Sequence, residues 1–159
     1  MSGDTLQAAL EREHREIDGG IEAFIAGLKS GERAAAPLRQ TLDALRRHIY
    51  LEEEFLFPPL RKTGLMVPIL VMLREHGELW RSMNRLEESL AADAGNDALT
   101  RACGELLALQ ETHNAKEEPV IYPSADTKLD TETTAKLAEF LKIGVLPKGW
   151  VCSTARESD

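Results

Sequence analysis

At 159 residues the chain fits one domain and is long enough to bury a core without disulfides. A hydrophobic share of 43% with only 5% aromatic residues favours helices over sheet. The formal net charge of −8 argues against nucleic acid as a main partner, because phosphate binding needs a basic face.

The first residues lack a basic segment followed by an apolar one. The longest apolar run, Leu65 to Leu73, is too short to span a bilayer and contains Pro68. Cys103 and Cys152 match no zinc or redox spacing. The expectation is a cytoplasmic protein with no membrane partner.

In chain order, Leu6, Leu10, Ile17, Ile21, Phe24 and Leu28 form a helical stripe in which His14 fills the one gap. This first helix is expected to start at an Asp4 cap and to end around Lys29 to Gly31. Pro37 suits the first turn of a second helix with stripe Leu38, Leu42, Leu45, Ile49 and Leu56. His48 lies beside that stripe and Glu52 occupies one of its apolar slots; Pro58 and Pro59 are expected to end or kink the helix. A third helix begins between Leu65 and Pro68 and shows Ile69, Met72, Leu73, Leu79, Trp80, Met83, Leu86 and Leu90, again with a histidine, His76, in the gap. A stop at Ala94 and Gly95 and a new cap at Asn96 and Asp97 open a fourth helix, whose stripe runs from Leu99 to His113 and Glu117. Residues 131–143 read as a short fifth helix with Leu137, Phe140 and Leu141 to pack. The pattern is one domain over residues 1–144, with a core bundle at 4–124. The segment 145–159 lacks periodicity and is expected to be a partly disordered tail.

The chain repeats itself. His48, Glu52, Glu53, Phe57 and Pro58 return at one fixed offset as His113, Glu117, Glu118, Tyr122 and Pro123. Histidine and glutamate four apart share a helix face, so each copy presents an imidazole and a carboxylate together. A second echo matches Glu13, His14 and Glu16 with Glu75, His76 and Glu78. The protein reads as two helical hairpins, each with a lone-histidine helix and a His-x-x-x-Glu helix.

Short connections make neighbouring helices antiparallel, so depth can be counted from shared turns. His14 and His48 are each about fifteen residues from the first turn, and His76 and His113 each about seventeen or eighteen from the turn near Gly95, so all four share one layer. A lone inward histidine is ordinarily a hydrogen-bonded core residue; four at one depth, beside two buried carboxylates with no lysine or arginine in the layer, point to a cation. Mixed imidazole and carboxylate ligands in a helical bundle suit a pair of iron ions, with manganese or zinc less favoured. The ferritin-like plan needs Glu-x-x-His twice and finds it only at Glu11 and His14.

These residues resemble the hemerythrin family, in its HHE cation-binding-domain branch, over about residues 4 to 124. The resemblance implies an all-α, antiparallel up-down-up-down four-helix bundle around a non-haem di-iron centre bridged by an oxo or hydroxo group and two carboxylates. Carried over by position, His14, His48, His76 and His113 are terminal ligands, and Glu52 and Glu117 are bridges. There is one departure. Oxygen-carrying members place His-x-x-x-His on the third helix, whereas here His76 has Met72 four before and Trp80 four after. The vacated position falls to water, to Glu53 or Glu118, or stays open. Glu53 and Glu118 otherwise read as outer partners or surface residues. Met72, Trp80, Tyr50 and Tyr122, with Phe55 and Phe57, are candidates for pocket lining, core packing being the alternative for the rings.

The leading functional expectation is a binding protein that takes a small diatomic ligand, oxygen or nitric oxide, or senses iron or redox state. The alternatives are a di-iron enzyme handling peroxide or nitric oxide, and a helical module in which the polar layer only specifies register.

Overall fold

In a computed structural model that describes residues 4–157, every regular element is a helix. Helix α1 spans Leu6–Lys29. Its cap is Thr5 rather than the expected Asp4: the Thr5 hydroxyl accepts the Ala8 N–H at 3.0 Å, while Asp4 pairs with Arg12. Gly31 takes the positive φ, 85°, that follows the helix end.

Helix α2, Ala35–Leu51, does not stop at its prolines. It runs into a π-helical turn at Glu52–Leu56, where the Phe57 N–H reaches back five residues to the Glu52 carbonyl, and continues as α3, Phe57–Arg61. Pro58 and Pro59 occupy the first turn of α3, where missing donors cost least. The wider turn resolves the expected break. After Gly64, α4 spans Met66–Ala91 and α5 spans Asn96–Val120, the latter capped by Gly95 rather than Asn96. Short α6, Tyr122–Ala125, repeats the proline-led turn of α3. Helix α7, Thr131–Ile143, is capped by Asp130, which accepts the Thr133 N–H at 2.7 Å. None of these helices is long and apolar enough to cross a membrane.

Helix α1 packs on α2 and α5, and α4 packs on α5 and α2. Arg33, in the turn after α1, bonds Asp93, the Ala94 carbonyl and Asn96 at 2.6 to 2.8 Å, so the α1–α2 turn meets the α4–α5 turn at one end. Toward the other end Asp126 accepts the Leu6 and Gln7 amides. Between the ends lie two apolar clusters. One gathers Ile21, Leu42, Met83 and Leu106, the other Leu10, Phe57, Ile69 and Tyr122. A polar layer separates them.

The tail departs from the expectation of disorder as far as it is described. Ser153–Glu157 forms α8 against α4, with Cys152 and Ala155 buried. Trp150 packs edge-on against Trp80 at 5.5 Å and Tyr50 at 5.0 Å. The Thr154 hydroxyl donates to the Leu73 carbonyl at 2.7 Å. Gly77 is what lets α8 approach, since a Cβ there would stand 2.2 Å from the Thr154 hydroxyl. The sequence hides this because the segment has no periodicity and its partners are some eighty residues away. The last two residues of the expected tail lie outside the described residues.

Candidate metal centre

The structure brings His14, His48, His76, His113, Glu52 and Glu117 into the layer between the apolar clusters, and none is more than 2% exposed. They form two groups that share both glutamates: His14, His48, Glu52 and Glu117, and Glu52, His76, His113 and Glu117, each with its ligand atoms within 4.8 Å of one another. Glu52 turns Oε2 to His48 Nε2 and Oε1 to His76 Nε2, both at 3.0 Å, one oxygen per group. Glu117 Oε1 stands 3.2 Å from both His14 Nε2 and His113 Nε2.

Every imidazole is also held from outside. Nδ1 of His48 meets Glu13 at 2.8 Å, that of His76 meets Glu53 at 2.7 Å, that of His113 meets Glu75 at 3.0 Å and that of His14 meets Glu118 at 2.8 Å. The donors of these carboxylates form a closed circuit: α1 supplies the glutamate for α2, the π turn of α2 for α4, α4 for α5, and α5 for α1. Glu53 and Glu118 thus sit on outer nitrogens. Glu13 and Glu75 are additional to the sequence reading, although the matched Glu-His pairs at 13–14 and 75–76 carried the signal. Successive helical residues diverge by roughly 100°, so a glutamate just before an inward histidine faces sideways toward the next helix.

An Nδ1–H donated outward leaves the Nε2 lone pair pointing inward. In that neutral tautomer the layer presents lone pairs to a metal, and without one, protons on the imidazoles compensate the buried carboxylates. Tyr122, fully buried, adds the one hydroxyl: it donates to Glu52 Oε2 at 2.5 Å and lies 2.8 Å from His14 Nε2 and 2.9 Å from His48 Nε2. Neither carboxylate oxygen of Glu117 receives a hydrogen bond. Burying such a carboxylate without a partner costs several kcal/mol. The donor set, imidazole nitrogen and carboxylate oxygen converging from four helices, fits a pair of cations.

The electrostatics agree. Burial works against the His48 cation, yet Glu52 and Glu13 hold its pKa well above the ordinary value. The same opposition, with Glu117 and Glu75 as partners, takes His113 up to about 10. Glu52 is held well below the carboxylate range by His48 and His76 despite its burial, and Glu117 is lowered by His113 and His14 against burial and the Glu52 charge. Burial and the nearby carboxylates push the Tyr122 phenol well upward. The field at the layer is one that stabilises positive charge.

Of the other candidates, Met72 is 2% exposed and belongs to the cluster containing Phe57 and Tyr122. Tyr50 makes its ring contacts with Phe55, Phe140 and Trp150, and Trp80 with Trp150 and the Arg46 guanidinium. Both rings serve the packing beneath the tail and α7 rather than the wall of the layer. Outside the layer an acidic groove lined by His14, Asp18, Glu22, Glu111 and Glu118 reaches the His14 edge.

Residues 5–125 match the family model described as Hemerythrin HHE cation binding domain. No curated protein and no solved structure matches the chain.

Proposed function

Because the chain belongs to the hemerythrin HHE cation-binding-domain family, we propose that its buried layer holds two iron ions and binds a small diatomic ligand, oxygen or nitric oxide, or responds to iron or redox state. One observation carries this reading: four imidazole Nε2 atoms and two fully buried carboxylates converge in one layer, as two groups that share both glutamates. Metal cations take the place of the protons that otherwise compensate those carboxylates. Iron in such a set supplies redox chemistry and coordination positions for small ligands, and it suits mixed imidazole and carboxylate donors better than zinc, whose structural sites favour closed tetrahedral sets.

The chain's own residues divide the work. Glu52 faces each group with a different oxygen, as a bridging carboxylate does. Glu13, Glu53, Glu75 and Glu118 orient the imidazoles and raise their basicity. The groove beside His14 is acidic and open, a route for an entering cation. The helix contacts and short connections favour an antiparallel up-down-up-down bundle. Two buried, unpaired cysteines suit a reducing cytoplasm.

Metal content per chain, together with the visible spectrum of protein purified in air, tests the reading. Two irons are expected, with charge-transfer bands that shift on adding azide or nitric oxide, and both are lost in His48→Ala. Zinc alone, or no metal from iron-supplemented cells, would overturn it. Steady-state turnover of peroxide or nitric oxide by the iron form, abolished in His113→Ala, would make the protein an enzyme instead.

A further inference from the structure

The internal repeat pairs Phe57 with Tyr122, and the pairing persists in three dimensions. Phe57 stacks on His76 with ring centroids 5.5 Å apart and an interplanar angle of 19°, and Tyr122 stacks on His14 at 5.2 Å and 28°. Both rings are buried. The two halves of the centre therefore differ, at matching places, by one hydroxyl group.

That hydroxyl stands among the ligand atoms. Tyr122 Oη is 2.8 Å from His14 Nε2, 2.9 Å from His48 Nε2 and 2.5 Å from Glu52 Oε2. Donor atoms bound at right angles about 2.1 Å from one ion stand about 3.0 Å apart. The two Tyr122–imidazole separations, with 3.0 Å for His48 Nε2 to Glu52 Oε2 and 3.2 Å for His14 Nε2 to Glu117 Oε1, gather around that value, while the 2.5 Å contact to Glu52 is a short hydrogen bond. The Tyr122 O–H donates to Glu52 Oε2, which turns the phenol oxygen's lone pairs toward the space between His14 Nε2 and His48 Nε2. At the other half, Phe57 and Met72 offer no oxygen; the protein's donors there are His76, His113, Glu52 and Glu117.

We propose that Tyr122 is a fifth protein ligand to the ion held by His14 and His48, and that the ion held by His76 and His113 is consequently the one that takes the exogenous ligand. This rests on the two-iron reading above. On loading with ferric iron the Tyr122 O–H bond breaks, the phenolate oxygen bonds the ion and the proton leaves to solvent; no electron is transferred in that step. The hydroxyl breaks the near-twofold symmetry of the repeat and directs small ligands to the Phe57 side. An added hydroxyl on Phe57 would land, by that symmetry, among His76, His113 and Glu117 and compete for the open position.

The experiment uses the full chain, loaded with ferrous iron and oxidised in air, as wild type, Tyr122→Phe and Phe57→Tyr. Iron per chain, visible absorption, resonance Raman and azide titration are read together, with circular dichroism reporting the fold. The wild type is expected to show a phenolate-to-iron charge-transfer band with tyrosinate ring modes. Tyr122→Phe keeps its iron, loses the band and binds azide as before; Phe57→Tyr strengthens the band and weakens azide roughly tenfold or more. Two bound irons with no phenolate band in the wild type would overturn the ligand assignment while leaving the metal centre intact. Azide weakened by Tyr122→Phe and unaffected by Phe57→Tyr would overturn the choice of side. Absence of iron from all three folded proteins would overturn the metal reading itself, and the proposal with it.

Discussion

Each imidazole of the layer stands between two carboxylates, one inner and one outer, and this decides how protons and cations compete for it. The pKa of His113 in the folded chain, about 10, lies far above its ordinary 6.5. Its contribution to stability is thus complete below pH 6.5 and is lost as the pH rises through about 10. Glu75, drawn down to about 2 by His113 and Lys116 against its own burial, behaves oppositely: its contribution is present above about 4.5 and is lost as the pH falls toward 2. Metal-free protein should therefore lose thermal stability steadily between pH 7 and 10. Iron-loaded protein should hold its melting temperature over the same range, because a bound cation replaces the protons that alkali removes. Differential scanning calorimetry of both forms across that range checks this, and parallel declines would refute it.

At the level of elements, two local devices set the layer's geometry. Glu52, four residues after His48 in regular helix, faces the inner nitrogens; the π turn that begins there inserts an extra residue ahead of Phe57, so Phe57 and Leu60 return to the core while Glu53 meets the outer nitrogen of His76. The second device is α8, whose Ser153 N–H bonds Glu53 at 3.0 Å and so fixes the carboxylate that orients His76. Gly77 is the contact point. Gly77→Ala gains up to about 1 kcal/mol of helix propensity, but its methyl group displaces the Thr154 hydroxyl from its bond to Leu73. The net expectation is a loss of about 1 kcal/mol in urea unfolding. The loss should shrink in a Thr154→Ala background, because the two changes act on one contact. Additive effects of the two substitutions would show that α8 is not held there.

For the whole molecule, the polar layer lies between two apolar clusters and draws its candidate ligands from four helical segments. Such a layer opposes folding unless its carboxylates are compensated. Metal binding and folding are consequently expected to be linked, and stripping bound metal with a chelator should lower the unfolding free energy by several kcal/mol. Helix content near 25 °C should survive, since both apolar clusters remain. An unchanged melting temperature after metal removal would instead support a layer that only specifies register.

The five long helices, the repeated histidine-glutamate pairs and the common depth of His14, His48, His76 and His113 were legible in the sequence. Each follows from a local rule: apolar spacing of three and four, turn residues, and a fixed rise per residue. The six-residue cluster at the centre is the sum of those rules. What tertiary structure alone decided are contacts between residues far apart in the chain. These are the circuit of Glu13, Glu53, Glu75 and Glu118 around the imidazoles, the docking of α8 against Gly77, and the entry of the Tyr122 hydroxyl into one half of the layer. Periodicity tells which face of a helix turns inward. Which neighbour a side chain on the flank of that face meets depends on how the helices pack, and only the folded molecule fixes that.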